Sequence, residues 1–198
     1  MATRLFSRER KTIFAEWWWT IDRELLAALV LLLMIGVGLS FTASPPVAER
    51  IGYGQWFFVI RHIPLAFGAM LVMLGMSLLS ARQVRFMALL VLVGSVVALL
   101  LTFRFGVEIK GARRWLSFAG MSVQPSEFVK PAFAIIAAWL FSESMSRGDV
   151  PGRIMAAGLL MLIVLPLLLQ PDVGQTALMV MTFLALLFLT GMSWWLII

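Results

Sequence analysis

The 198-residue chain contains no cysteine. Disulfide scaffolds, thiol nucleophiles and cysteine metal sites are excluded, and the redox compartment cannot be read from cysteine usage. Histidine occurs once, at His62, which leaves little from which to build a histidine metal site or catalytic dyad. There is no Gly-x-x-x-x-Gly-Lys-Ser/Thr phosphate loop, no Ser-His-Asp set and no zinc-ligand spacing. Charge is scarce as well. Charged residues make up 13% of the chain, about half the share usual in a soluble domain.

What fills the space is apolar. Hydrophobic residues reach 62%, and the mean hydropathy is +0.98. A chain this size cannot hide so much apolar surface from water, so soluble and disordered classes fall away. The 16 Lys and Arg against 10 Asp and Glu leave a net charge of +6. In a soluble protein that balance would point to nucleic acid. Here the cations sit between apolar runs, where they set membrane topology and meet anionic headgroups, so no nucleic-acid partner is expected.

A membrane helix needs about 20 apolar residues. Six stretches meet or approach that length: 25–43, 56–79, 86–103, 128–142, 154–169 and 173–191. The fourth is short, and the runs lack sustained two-residue alternation, so strands are not expected. The expected fold is all-α: a polytopic membrane helix bundle with six transmembrane helices. Residues 1–24 form a basic arm with Trp17, Trp18 and Trp19 as an interfacial anchor, and 25–198 form the membrane domain. No small-residue cleavage site follows the arm, so it does not read as a secretory leader.

Counting cations outside the spans puts nine on the side of the N-terminus, which is then cytoplasmic. They are Arg4, Arg8, Arg10, Lys11, Arg23, Arg82, Arg85, Arg147 and Arg153. Five lie opposite, and four of these crowd one loop: Arg104, Lys110, Arg113 and Arg114. Mixed with Trp115, Phe118 and three glycines, they suggest a loop lying in the outer interface. Guanidinium groups bind phosphate oxygens bidentately, so one reading is a site for a lipid phosphate or pyrophosphate. The other is snorkelling to ordinary headgroups.

Further polar groups lie near span ends. Gln124 and Pro125 lead into the fourth span with Ser126 as its expected N-cap, and Pro131 suggests a kink. Glu127 and Lys130, three apart, share a helix face, either as a cavity-facing functional pair or as a structural ion pair. Asp172 reads as the cap of the sixth helix or as a carboxylate in a central cavity. Arg61 and His62 are embedded near the start of the second span, by snorkelling, by an interhelical hydrogen bond or as a cavity group.

Three motifs occur in order at span boundaries: Lys110-Gly-Ala-Arg-Arg-Trp115, Gln124-Pro-Ser-Glu-Phe-Val-Lys130 and Gln170-Pro-Asp-Val-Gly174. On these the whole chain resembles the N-terminal half of a SEDS protein (shape, elongation, division and sporulation). The stretch from Arg10 to Trp19 is similar to the division branch of alphaproteobacteria, with the elongation branch second. The resemblance implies a peptidoglycan glycosyltransferase that polymerises lipid II at the outer face of the bacterial plasma membrane, at the septum. It implies a class B penicillin-binding protein and other divisome membrane proteins as partners. Lys110, Arg113, Arg114 and Trp115 would bind substrate, while Arg61, Gln124, Ser126, Glu127, Lys130 and Asp172 would line the cavity. No cofactor is specified, and a divalent cation at the leaving pyrophosphate is the option left open.

The family has ten spans, with its catalytic aspartate in a large outer loop after the seventh. This chain stops at Ile198 within apolar sequence. The resemblance therefore implies a fragment of a longer polymerase, inactive alone, with no catalytic residue among the 198. The other readings are a lipid II flippase and a non-catalytic scaffold that recruits the penicillin-binding protein.

Overall fold

The structure, a computed structural model, describes residues 13–109, 111–118 and 121–191. Four cations of the basic arm (Arg4, Arg8, Arg10 and Lys11), Lys110 of the polar loop and the apolar residues 194–198 lie outside the described residues. The chain divides into two compact units, 1–80 and 81–198. Among the described residues five helices are long and apolar enough to cross a membrane, and a sixth apolar helix has 17 residues. The protein is an integral membrane protein with the expected polytopic helix bundle.

In the first unit, α1 (Ile13–Thr20) carries the tryptophans, followed by α2 (Arg23–Arg50) and α3 (Phe57–Ser77). Asp22 caps α2, its side chain accepting from the Leu25 amide at 3.0 Å. Trp17 donates to Ser77 Oγ at 2.8 Å, and the Arg23 guanidinium lies 5.0 and 4.9 Å from the Trp18 and Trp19 rings. Within α2 only Ala48 is buried, so nearly the whole cylinder needs an apolar solvent. The helix also continues seven residues past the expected end at 43, through Pro45 and Pro46. At a rise of about 1.5 Å per residue it is about 42 Å long, against a hydrocarbon core of about 30 Å. Prolines are tolerated in membrane helices, which is why they fail as stop signals here.

The second unit holds α4 (Ala81–Phe105), three strands, α5 (Pro125–Ser146), α6 (Gly152–Leu169) and α7 (Val173–Leu189). Its core is written in helical spacing. Buried residues recur on α5 at Val129, Ala132, Phe133, Ile136, Ala137, Leu140 and Phe141, alternating steps of three and one. Against that seam α4 presents Ala88, Leu92 and Leu99, and α6 presents Ala156, Leu160, Ile163 and Leu167. Met179 of α7 and the Phe141–Phe183 ring pair, 5.6 Å apart, complete it.

The fourth span is longer than expected, at 22 residues. Gln124 is its N-cap and Pro125 occupies its first turn, so Ser126 is a buried residue of the helix and not the cap. The helix runs on through Pro131. Strands correct the expectation more sharply: β1 (Val107–Ile109), β2 (Ala112–Phe118) and β3 (Met121–Val123) form an antiparallel meander in the polar loop. Glu108 pairs with Arg113 and Ile109 with Ala112, while Gly111, at φ 78°, turns the chain between β1 and β2. The apolar runs are helical, as expected; the alternation sits in the connection.

Gly152 opens α6 directly against α5. A Cβ there would lie 2.0 Å from the Leu140 carbonyl oxygen. Alanine would gain at most about 1 kcal/mol in helix propensity, whereas forcing two packed backbones apart costs about 3 kcal/mol. Gly152→Ala is expected to lower the melting temperature in detergent, read by tryptophan fluorescence; an unchanged or raised value would refute this contact.

Candidate functional site

The polar residues of the three sequence motifs that the structure describes gather at one end of the second unit, where α4 finishes, α5 starts and α6 turns into α7. The meander sorts the two adjacent arginines, because successive strand residues face opposite ways. Arg113 turns outward, half exposed, and meets Glu108 on the neighbouring strand at 3.3 Å. Arg114 turns inward toward the α6–α7 turn. Its Nε donates to the Gln170 carbonyl at 3.1 Å, its Nη2 donates to the Pro171 carbonyl at 2.5 Å, and its Nη1 lies 3.5 Å from Asp172 Oδ1. Trp115, half-buried, is the next residue outward on the same strand.

Asp172 is only 6% exposed and is fully engaged. Besides Arg114 it accepts from Gln124 Nε2 at 3.4 Å, and it caps α7 by accepting from the Gln175 amide at 3.5 Å. Its backbone carbonyl accepts from Thr176 Oγ1 at 2.9 Å. Gln170 reaches the other way: its side-chain amide donates to the Leu99 carbonyl at 3.2 Å and to Thr102 Oγ1. The two readings for Asp172 therefore resolve toward a cap held by an arginine.

Glu127 and Lys130 form the expected pair at 2.5 Å, and Gln175 of α7 donates to the other Glu127 oxygen at 2.7 Å. Two buried oxygens at this end, Ser126 Oγ and Gln175 Oε1, accept or donate no hydrogen bond. Each such group costs about 1–3 kcal/mol in an apolar setting. Both carboxylates thus have cationic or amide partners. Among the described residues no three His, Asp or Glu side chains gather as a metal site.

Beside the hairpin a cleft of about 210 Å³ opens between the end of α4 and the turn after α6. Phe103 and Leu169 supply its apolar wall, and Glu108, Arg113 and Gln170 its polar rim. The cleft and the exposed arginine make this end suited to holding an anionic group.

The structure brings together Arg113, Arg114, Trp115, Gln124, Ser126, Glu127, Lys130 and Asp172. Lys110 lies outside the described residues. Arg61 belongs to the first unit, where its guanidinium lies 4.4 Å from the Phe57 ring. Sequence reasoning missed Glu108, Thr102 and Gln175. Thr102 lay in an apolar run and gave no sign. Glu108 and Gln175 stood within or beside the motifs and were passed over.

The family model described as cell cycle protein, covering FtsW, RodA and SpoVE, matches residues 23–198. The probable peptidoglycan glycosyltransferase FtsW of Caulobacter vibrioides is 41% identical over 196 residues, covering 98% of this chain and 50% of the relative. The probable peptidoglycan glycosyltransferase FtsW of Tolumonas auensis is 30% identical over 186 residues, covering 89% and 48%. Among solved structures, the rod shape determining protein RodA of Thermus thermophilus superposes with a TM-score of 0.67 at 26% identity, over 89% of this chain and 56% of that one. A chain of a peptidoglycan synthase complex superposes at 0.65 with 27% identity, over 84% and 48%. The chain spans about half the length of the curated relatives it matches.

Proposed function

The chain belongs to the family of cell cycle proteins that includes FtsW, RodA and SpoVE, and from that membership we propose that it handles lipid II within a peptidoglycan glycosyltransferase of the division septum. The N-terminus lies in the cytoplasm, so α4 leads outward and the meander stands at the outer face of the plasma membrane. There the pyrophosphate of lipid II docks at the cleft rim, held by Arg113, while Trp115 supports the hairpin; Lys110, outside the described residues, is assigned to the same substrate on its motif alone. The sugar is already activated by its pyrophosphate, which accounts for the missing nucleotide loop. An acceptor hydroxyl forms the new glycosidic bond, the bond to pyrophosphate breaks, and the hydroxyl proton passes to a carboxylate. Neither Asp172 nor Glu127 is assigned that proton, since both are held by partners. A class B penicillin-binding protein crosslinks the glycan, and other divisome membrane proteins assemble with the pair.

The observation that carries this reading is the division of labour between the two arginines. Arg114 is spent on the α6–α7 turn, and Arg113 is left exposed over a cleft. The test is polymerisation of fluorescent lipid II by the protein expressed from its own gene and purified with its penicillin-binding partner. Glycan ladders on a gel are expected. Movement of the lipid II headgroup across liposomes without polymer would overturn the reading in favour of a flippase.

A further inference from the structure

At the opposite end of the second unit, α4, α5 and α6 do not close on one another. They leave a cavity of about 420 Å³, within the range of about 300–1,000 Å³ typical of small-molecule sites. Buried Leu92, Ile136 and Leu140 form its floor, and exposed Val93, Val97 and Met155 form its rim. Exposed apolar residues alone mean little on a membrane helix. The concavity and the chemistry at its mouth carry the point.

That mouth is basic. Arg82 and Arg85 stand on the first turns of α4, Arg147 at the end of α5 and Arg153 at the start of α6, with Glu143 and Asp149 as the acidic groups nearby. Glu143 is taken: it pairs with Arg147 at 3.4 Å and accepts from Trp139 Nε1 at 3.1 Å. Arg85 lies with its guanidinium 5.6 Å from the Trp139 ring, and its Nε donates to the Ala81 carbonyl at 3.2 Å. Among the described residues neither Arg82 nor Arg85 has a carboxylate partner. The groove's lining on α4 runs from Leu89 to Val97, with Arg85 one turn beyond it; from Arg85 to Val97 the helix rises about 18 Å, close to the half-thickness of the hydrocarbon core at about 15 Å. A chain lying there with its headgroup among the arginines has the dimensions of one leaflet.

We infer that the groove between α4, α5 and α6 binds an anionic phospholipid, one acyl chain along the Val93 and Met155 rim and the phosphate at Arg82 and Arg85. Trp139 sits where chain meets headgroup, the depth that suits an indole. This site lies at the other end of the helices from the meander and does not depend on the lipid II proposal.

The test uses the protein expressed from its own gene, purified in detergent and exposed to equimolar dioleoyl phosphatidylglycerol and dioleoyl phosphatidylcholine. Native mass spectrometry is expected to retain phosphatidylglycerol preferentially. Each arginine beside an anionic headgroup contributes about fivefold, so Arg82→Gln with Arg85→Gln should weaken retention about 25-fold. Arg82→Gln alone, on an exposed residue, should give about fivefold with an unchanged melting temperature. Val93→Trp should reduce retention by filling the rim. Phosphatidylglycerol bearing a photoreactive acyl chain should label Trp139, Met155 or Leu159. Equal retention of the two lipids, insensitivity to these substitutions, or labelling confined to other helices would each overturn the site; the last is also the result if another part of the protein fills the groove.

Discussion

Arg113→Ala is expected to lower lipid II polymerisation about 100-fold while the protein melts where the unaltered protein does. The activity figure follows from the proposed role: removing one fixed donor from a developing anion costs about 10²–10³ in rate when the site is screened from water. The unchanged melting point follows from geometry. Arg113 and Glu108 are both more than half exposed, at 52% and 57%, so their pair contributes under about 1 kcal/mol. Arg113→Lys, which keeps charge but loses the fork, should recover part of the rate. A polymerisation rate within threefold of the unaltered protein would remove Arg113 from the substrate site.

Arg114→Ala should behave in the opposite manner. Its guanidinium satisfies two backbone carbonyls and a carboxylate that is 8% exposed. Without it Asp172 keeps only the long contacts to Gln124 and Gln175, and stranding one partner of a buried pair costs about 3 kcal/mol. The expected result is a marked drop in melting temperature and in folded yield, with activity lost through instability. Asp172→Asn separates two roles of that residue: asparagine still caps α7 but gives up the charge. It should destabilise less than Asp172→Ala. Equal losses for the two substitutions would place the whole effect in the ion pair; a melting temperature unchanged by Asp172→Asn but lowered by Asp172→Ala would place it in the cap or in packing, and would count against the ion pair.

The membrane-crossing helices were legible because the bilayer imposes a length and a composition on each, and both are local properties. Their ends were less legible. Pro45 and Pro46 stop helices in water, yet α2 passes through them. The first turn of α5 was misplaced because Ser126 is the better capping side chain, while Pro125 preorganises the turn one residue earlier. The meander left a trace in residues 112–117, where Ala112, Arg114 and Leu116 alternate with Arg113, Trp115 and Ser117. Strands of three residues are too short for such a pattern to stand out. The pairing of Arg114 with the α6–α7 turn had no local trace, since it joins residues 56 and 57 positions apart. The order of the motifs was visible; which arginine served structure and which faced the cleft was decided by strand alternation.

That separation along the chain also sets a timetable. At about 5–20 residues per second, the carbonyls of Gln170 and Pro171 leave the ribosome about 3–11 s after Arg114 does. For that interval the arginine has no internal acceptor and must stay with water or headgroup phosphates. The hairpin can be locked to the α6–α7 turn only after α6 has been made, so this contact closes on an arginine that arrived well before its acceptors.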